Sequence, residues 1–190
     1  MAAAAATIAT AAPACAAPAA PVTSTISDGD VFRVQTLRSG SDLQFASLQA
    51  IKGGLRVNAP EQGSTCGSEV NYASFKLSNG SLFLNTAHPS QQIYVNRSGM
   101  GQGIIQYVTG AQQPTKGAEA TTFAINDSGY LVFRDQTGED IGFQACPNAL
   151  GGGSSIWLEG VTNPGGNSGC IPFTARAQKE DTPEQCSYSQ

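Results

Sequence analysis

The run Tyr94-Val95-Asn96-Arg97-Ser98-Gly99-Met100-Gly101-Gln102-Gly103-Ile104-Ile105-Gln106-Tyr107-Val108-Thr109-Gly110-Ala111-Gln112 decides how the chain is read. Two apolar, β-favouring segments, Ile93–Val95 and Ile104–Val108, flank a stretch where Gly99, Gly101 and Gly103 alternate with other residues. Glycine tolerates positive φ and close backbone approach, so the middle reads as a shaped turn or bulge inside a sheet. The same spacing mimics a dinucleotide-binding loop. Such a loop needs a following helix to aim its amides at a pyrophosphate, and here a strand is expected instead.

Outward from that run, apolar and polar residues alternate with period two and stop at turn residues, the pattern of antiparallel β structure. The first strand is expected at Val31–Leu37, then Leu43–Ala50, Leu55–Val57, Tyr72–Leu77 and Ser81–Leu84. Further strands are expected at Thr122–Ile125, Tyr130–Phe133, Ile141–Cys146, Ser155–Leu158 and Ile171–Ala175. Asn79-Gly80 is a strong hairpin signal because both residues accept positive φ, and Asn126-Asp127-Ser128-Gly129 repeats the design. Leu48–Val57, Phe75–Leu84 and Phe123–Phe133 resemble one another: apolar strand, glycine turn, apolar strand. The expected fold is all-β, one compact antiparallel domain of about 10–12 short strands. A closed barrel, a β-trefoil-like arrangement and a sandwich all remain open at this point.

The chain has 190 residues and a net charge of −4, which supplies no basic stripe for nucleic acid or anionic lipid. Residues 1–20 are mostly alanine, interrupted by Pro13 and Pro18 among others, and are expected to be a secretory signal that lacks the usual basic start. Residues 21–28 then form a linker and 29–190 the single domain. No later stretch is long and apolar enough to cross a bilayer. The tail ending Ser187-Tyr188-Ser189-Gln190 also lacks the apolar stretch of a lipid-anchor signal.

Cys15 falls within the expected signal, which leaves Cys66, Cys146, Cys170 and Cys186. Four cysteines in a secreted chain read as two disulfides with three possible connectivities, and no zinc-type spacing is present. The pairing expected here is Cys66–Cys146 with Cys170–Cys186. The second bond would close a short loop and hold the polar tail, stabilising by roughly 3 kcal/mol in the chain-entropy model.

Several residues invite a chemical reading. His88 in Thr86-Ala87-His88 and Ser168 in Gly166-Asn167-Ser168-Gly169 mimic two signatures of trypsin-like proteases, with Asp127, Asp135 or Asp140 available as the third member. Pro89 after the histidine, Cys170-Ile171-Pro172 after the serine and the short spacing all depart from that pattern. Asp127, Asp135, Glu139, Asp140 and Glu159 could supply a glycosidase pair, yet solvated turn acids are the plainer account. Neither catalysis nor a cofactor or metal is expected. Tyr94, Tyr107 and Tyr130 sit on expected strands where a ring could stack on a sugar, whereas Trp157 in Ile156-Trp157-Leu158 reads as core. Asn79, Asn96 and Asn126 open N-glycosylation sequons in expected turns.

The central run also carries a resemblance. Asn96-Arg97-Ser98-Gly99-Met100-Gly101-Gln102-Gly103, followed by Tyr107-x-Thr109-Gly110-Ala111-Gln112, resembles the PhiA family of secreted fungal cell-wall proteins. The similarity continues through Ala145-Cys146-Pro147-Asn148, Ser155-Ile156-Trp157, Asn163-Pro164 with Gly166-Asn167, and Cys186-Ser187-Tyr188. It implies an extracellular place in the cell wall and a role in conidium- or phialide-bearing cells. Association with wall polysaccharide or mannoprotein is expected to follow. Members are also described as IgE-binding allergens and as elicitors recognised by host receptors.

Overall fold

The computed structural model describes Met1 and residues 25–190. Apart from Met1, the expected signal with Cys15 and linker residues 21–24 lie outside the described residues. The first half of the chain forms β1 (Val31–Leu37), β2 (Leu48–Ile51), β3 (Gly54–Val57), β4 (Thr65–Cys66), β5 (Ser74–Ser78), β6 (Ser81–Leu84), β7 (Gln91–Asn96) and β8 (Ile104–Thr109). The second half forms β9 (Ala118–Glu119), β10 (Phe123–Ile125), β11 (Leu131–Arg134), β12 (Asp140–Ile141), β13 (Phe143–Cys146), β14 (Ser154–Leu158), β15 (Ile171–Lys179) and β16 (Cys186–Ser187). A 3-10 turn at Pro164–Gly166 is the one helical segment among the described residues.

Hydrogen-bonded pairing runs β8-β3-β14-β13-β15-β1-β5-β6-β7 and returns from β7 to β8, closing a nine-strand antiparallel barrel. Closure leaves few edges exposed. β2 hangs on β3, and β9 on β7, at the margins. A separate sheet β10-β11-β12 and the two-stranded β4–β16 ladder complete the fold. The barrel alternative is therefore the correct one, and the three similar segments are the hairpins β2–β3, β5–β6 and β10–β11. Only the first two of these belong to the barrel sheet, so ordinary hairpin chemistry accounts for the recurrence.

β1 shows why the pattern folds this way. Phe32, Val34 and Thr36 point inward and are fully buried, while Arg33 and Gln35 face out. Phe32 stacks on Phe75 with centroids 6.1 Å apart, and Phe143 on Phe173 at 6.3 Å. Leu82, Ile93, Ile105 and Ile156 are buried in the same core. Each such side chain contributes about 1.5–3 kcal/mol by leaving water.

The glycine-rich run is the β7–β8 turn. Gly103 N donates to Asn96 O at 2.7 Å and Gln102 N to Ser98 O at 2.9 Å. A Cβ on Gly101 would lie 2.2 Å from Asn96 Cγ, so no side chain fits there. β8 follows directly, as the sequence required.

Two expectations need correction. The Leu43–Ala50 strand is shorter, because the chain turns over residues 41–45 before β2. The Thr36 hydroxyl donates to the carbonyls of Leu43 and Ala46, folding that segment back on β1. The disulfides are Cys66–Cys186 and Cys146–Cys170, not the expected pairs. Strand register decides both. Cys66 lies opposite Cys186 across β4–β16, and Cys170 precedes Ile171, which pairs with Ala145 next to Cys146.

The C-terminal segment is tied into the barrel by named bonds. Gln91 Nε2 donates to Tyr188 O at 2.9 Å, and Tyr188 N returns a bond to Gln91 Oε1 at 3.1 Å. Ser74 N donates to the Tyr188 hydroxyl, and Lys52 N to Ser189 Oγ.

Candidate functional site

The residues singled out by sequence fall into two groups. Tyr94 is 4% exposed and donates to Gln106 Oε1 at 3.1 Å. Tyr107 is 2% exposed, donates to the Ser189 carbonyl, and has its phenol pushed up to about 12 by burial. Neither ring offers a face to a sugar, so both leave the binding set and become supports. Trp157 is buried as expected, its indole N–H donating to Ser155 Oγ at 2.8 Å. Gly165 covers it so closely that a Cβ would stand 2.7 Å from the ring. The same glycine's N–H donates to Gln102 Oε1 at 2.8 Å, joining the glycine-rich turn to Asn163–Gly166.

Tyr130 remains half-buried and lies opposite Arg176 in an isolated bridge to β15. That bridge marks one side of the outer face of β1 and β15. Arg33 lies opposite Gln178, and Gln35 opposite Arg176. Arg33 Nε donates to Gln178 Oε1 at 3.1 Å, and Gln178 Nε2 to Gln35 Oε1 at 3.4 Å. On the other side, the Arg33 guanidinium stands over the Tyr72 ring, 5.7 Å from its centroid. Burial, and then the Glu180 carboxylate, hold the Tyr72 phenol above its usual range. Neither Arg33 nor Arg176 has an ion-pair partner among the described residues. The result is a strip of amides and guanidinium groups between two tyrosines. The sequence places Tyr72 at the start of an expected strand but cannot mark it as part of a surface, because the strip exists only once β1 meets β15.

The catalytic readings find no matching assembly. His88 and Ser168 are exposed, and no hydrogen bond joins them to each other or to Asp127, Asp135 or Asp140 among the described residues. Asp135 Oδ1 accepts from Thr137 Oγ1 at 2.6 Å, which holds its carboxyl below the usual range. A glycosidase acid needs the opposite shift. Asp140 is paired with Arg134 at 2.8 Å. No cluster of three metal-ligating side chains occurs among the described residues. Concavities of about 780, 590 and 400 Å³ open along the Pro60–Asn71 loop, beside Thr122 and Arg134, and beside Lys52 and Ser189. No helix among the described residues is long and apolar enough to cross a membrane.

The fold is a disulfide-fastened, all-β barrel whose β1–β15 outer face is polar. Residues 32–189 match the family model for PhiA-like secreted protein, and the chain belongs to that family. It is 39% identical over 171 residues to a protein of Emericella nidulans named cell wall protein phiA, covering 88% of this chain and 91% of that one. Proteins of the same name from Aspergillus fumigatus and Aspergillus niger are 37% and 39% identical over 162 residues. Those matches cover 84% and 83% of this chain, and 85% of each relative. No solved structure matches. The protein is secreted and resides in the fungal cell wall.

Proposed function

We infer that this is a non-catalytic wall protein that lies along hydroxyl-rich wall polysaccharide through the outer face of β1 and β15. The Tyr72–Arg33–Gln178–Gln35–Arg176–Tyr130 strip carries this reading. Paired strands make a continuous support, with alternate side chains about 7 Å apart along each strand. Carboxamides and guanidinium groups suit sugar hydroxyls, and tyrosine combines an apolar ring with a polar end. An open support fits an extended polymer better than a small ligand, which needs an enclosing pocket. The developmental and host-recognition roles implied by the resemblance follow from position in this reading. A protein held at the surface of a spore-bearing cell contributes to its coat and is what host receptors or IgE meet.

Sedimentation of purified protein with insoluble β-glucan, chitin and cellulose tests the proposal. Retention by at least one polymer is expected, weakened roughly tenfold by Tyr72→Ala with Arg33→Ala, as expected for truncating Tyr and Arg anchors. Tyr94→Phe should leave retention unchanged. No retention on any polymer, or retention indifferent to the strip, would overturn the reading.

A further inference from the structure

Three sequons stand in three turns, and their carboxamides are used differently. Asn79 is exposed at the tip of the β5–β6 hairpin, and its side chain makes no hydrogen bond among the described residues. Asn126 Oδ1 accepts from Ser128 N at 3.1 Å and Tyr130 N at 3.0 Å, while its Nδ2 carries no such bond. Asn96 differs at the atom that matters. Its Nδ2 donates to Thr115 Oγ1 at 3.2 Å and its Oδ1 accepts from Ser98 N at 3.1 Å. Gly101 also closes over its Cγ.

We propose that Asn79 and Asn126 carry N-linked glycans in the secreted protein and that Asn96 stays bare, because its Nδ2 ties the glycine-rich turn to Thr115 and Gly101 closes over its carboxamide. Transfer from a lipid diphosphate-linked oligosaccharide forms a bond from Nδ2 to the anomeric carbon. The carbon–oxygen bond to the diphosphate breaks, the diphosphate leaves with the electron pair, and the proton that Nδ2 gives up passes through solvent to balance it. At Asn126 the Oδ1 bonds survive this change, so the turn persists. At Asn79 nothing is lost. At Asn96 the sugar would displace the bond to Thr115 and push against Gly101, so the glycine-rich turn loses its tie to residue 115 and chains modified there do not reach the secreted, folded pool. The sequon inside the glycine-rich run is thus a structural asparagine.

The test uses full-length protein secreted from a fungal host. Enzymatic release of N-glycans in heavy-oxygen water, followed by peptide mass mapping, labels occupied sites and separates them from deamidation at Asn79-Gly80. Label at Asn79 and Asn126 with Asn96 unlabelled is the expected result. Label at Asn96 in folded protein, or at neither of the other two, overturns the proposal. Asn96→Gln should keep the electrophoretic mobility of the parent while lowering its melting temperature. A mobility gain of one glycan, or an unchanged melting temperature, counts against it. None of these readouts depends on polysaccharide binding.

Discussion

Two appendages flank the barrel, and they are secured by different means. The Pro60–Asn71 loop is held covalently by Cys66–Cys186 and internally by Gln62, which is 2% exposed. Gln62 Nε2 donates to Val70 O at 3.1 Å and Tyr72 O at 2.8 Å, and Asn71 Oδ1 accepts from Gln62 N at 3.0 Å. Gln49 adds paired bonds to Ala59. The β10–β12 sheet instead has its own ladder and an internal Phe123–Phe133 edge contact at 6.3 Å. Its ties to β15 include Ala177 N to Gly129 O and the Tyr130–Arg176 bridge. A loop with almost no regular backbone pairing needs side-chain amides and a crosslink to become one shape. A hairpin supplies that order itself.

Breaking the crosslink should have the largest effect. Cys66→Ser with Cys186→Ser removes a bond spanning 120 residues, for which the chain-entropy model gives about 5 kcal/mol. Denaturant melts should show this loss, with faster hydrogen exchange in residues 60–71 and at the tail. Removing Cys146–Cys170, with a separation of 24, should cost less, about 3 kcal/mol in the same model. Gln62→Leu leaves the Val70 and Tyr72 carbonyls unpaired and should cost about 2 kcal/mol, with the barrel otherwise intact. High pH sharpens the contrast differently. Burial pushes the phenols of Tyr107 and Tyr188 up to about 12, against about 10 in an unfolded chain. Between those values the unfolded chain releases protons that the folded one keeps. Their contribution is therefore complete below pH 10 and lost as pH rises towards about 12, and Tyr188→Phe should flatten that fall. On the other appendage, Arg134→Ala breaks the exposed pair with Asp140, and the melting temperature should not change measurably.

Legibility followed the same division. The β10–β11 hairpin was readable because Asn126–Gly129 is local turn chemistry between apolar runs, and Val31–Leu37 and Ser81–Leu84 agree with the sequence to the residue. The Pro60–Asn71 loop was not readable, since its order depends on Gln49, Gln62 and Asn71 finding backbone partners that periodicity does not mark. The disulfide pairing depended on a two-residue ladder between β4 and β16, too short to leave a pattern. For the site, alternation put Tyr94 on a strand face but did not show that the face is covered. Tyr72 and Tyr130 became partners of one surface only through β1–β15 pairing between residues more than 130 apart in the chain.

The most direct measurement of the central claim is an amide-resolved NMR titration of the protein with a soluble wall-glucan oligosaccharide. Shifts should concentrate at Arg33, Gln35, Tyr72, Tyr130, Arg176 and Gln178, with those of Tyr94 and Tyr107 unmoved. Shifts confined to the Pro60–Asn71 loop or the glycine-rich turn, or no saturable shifts with any wall oligosaccharide, would contradict the account.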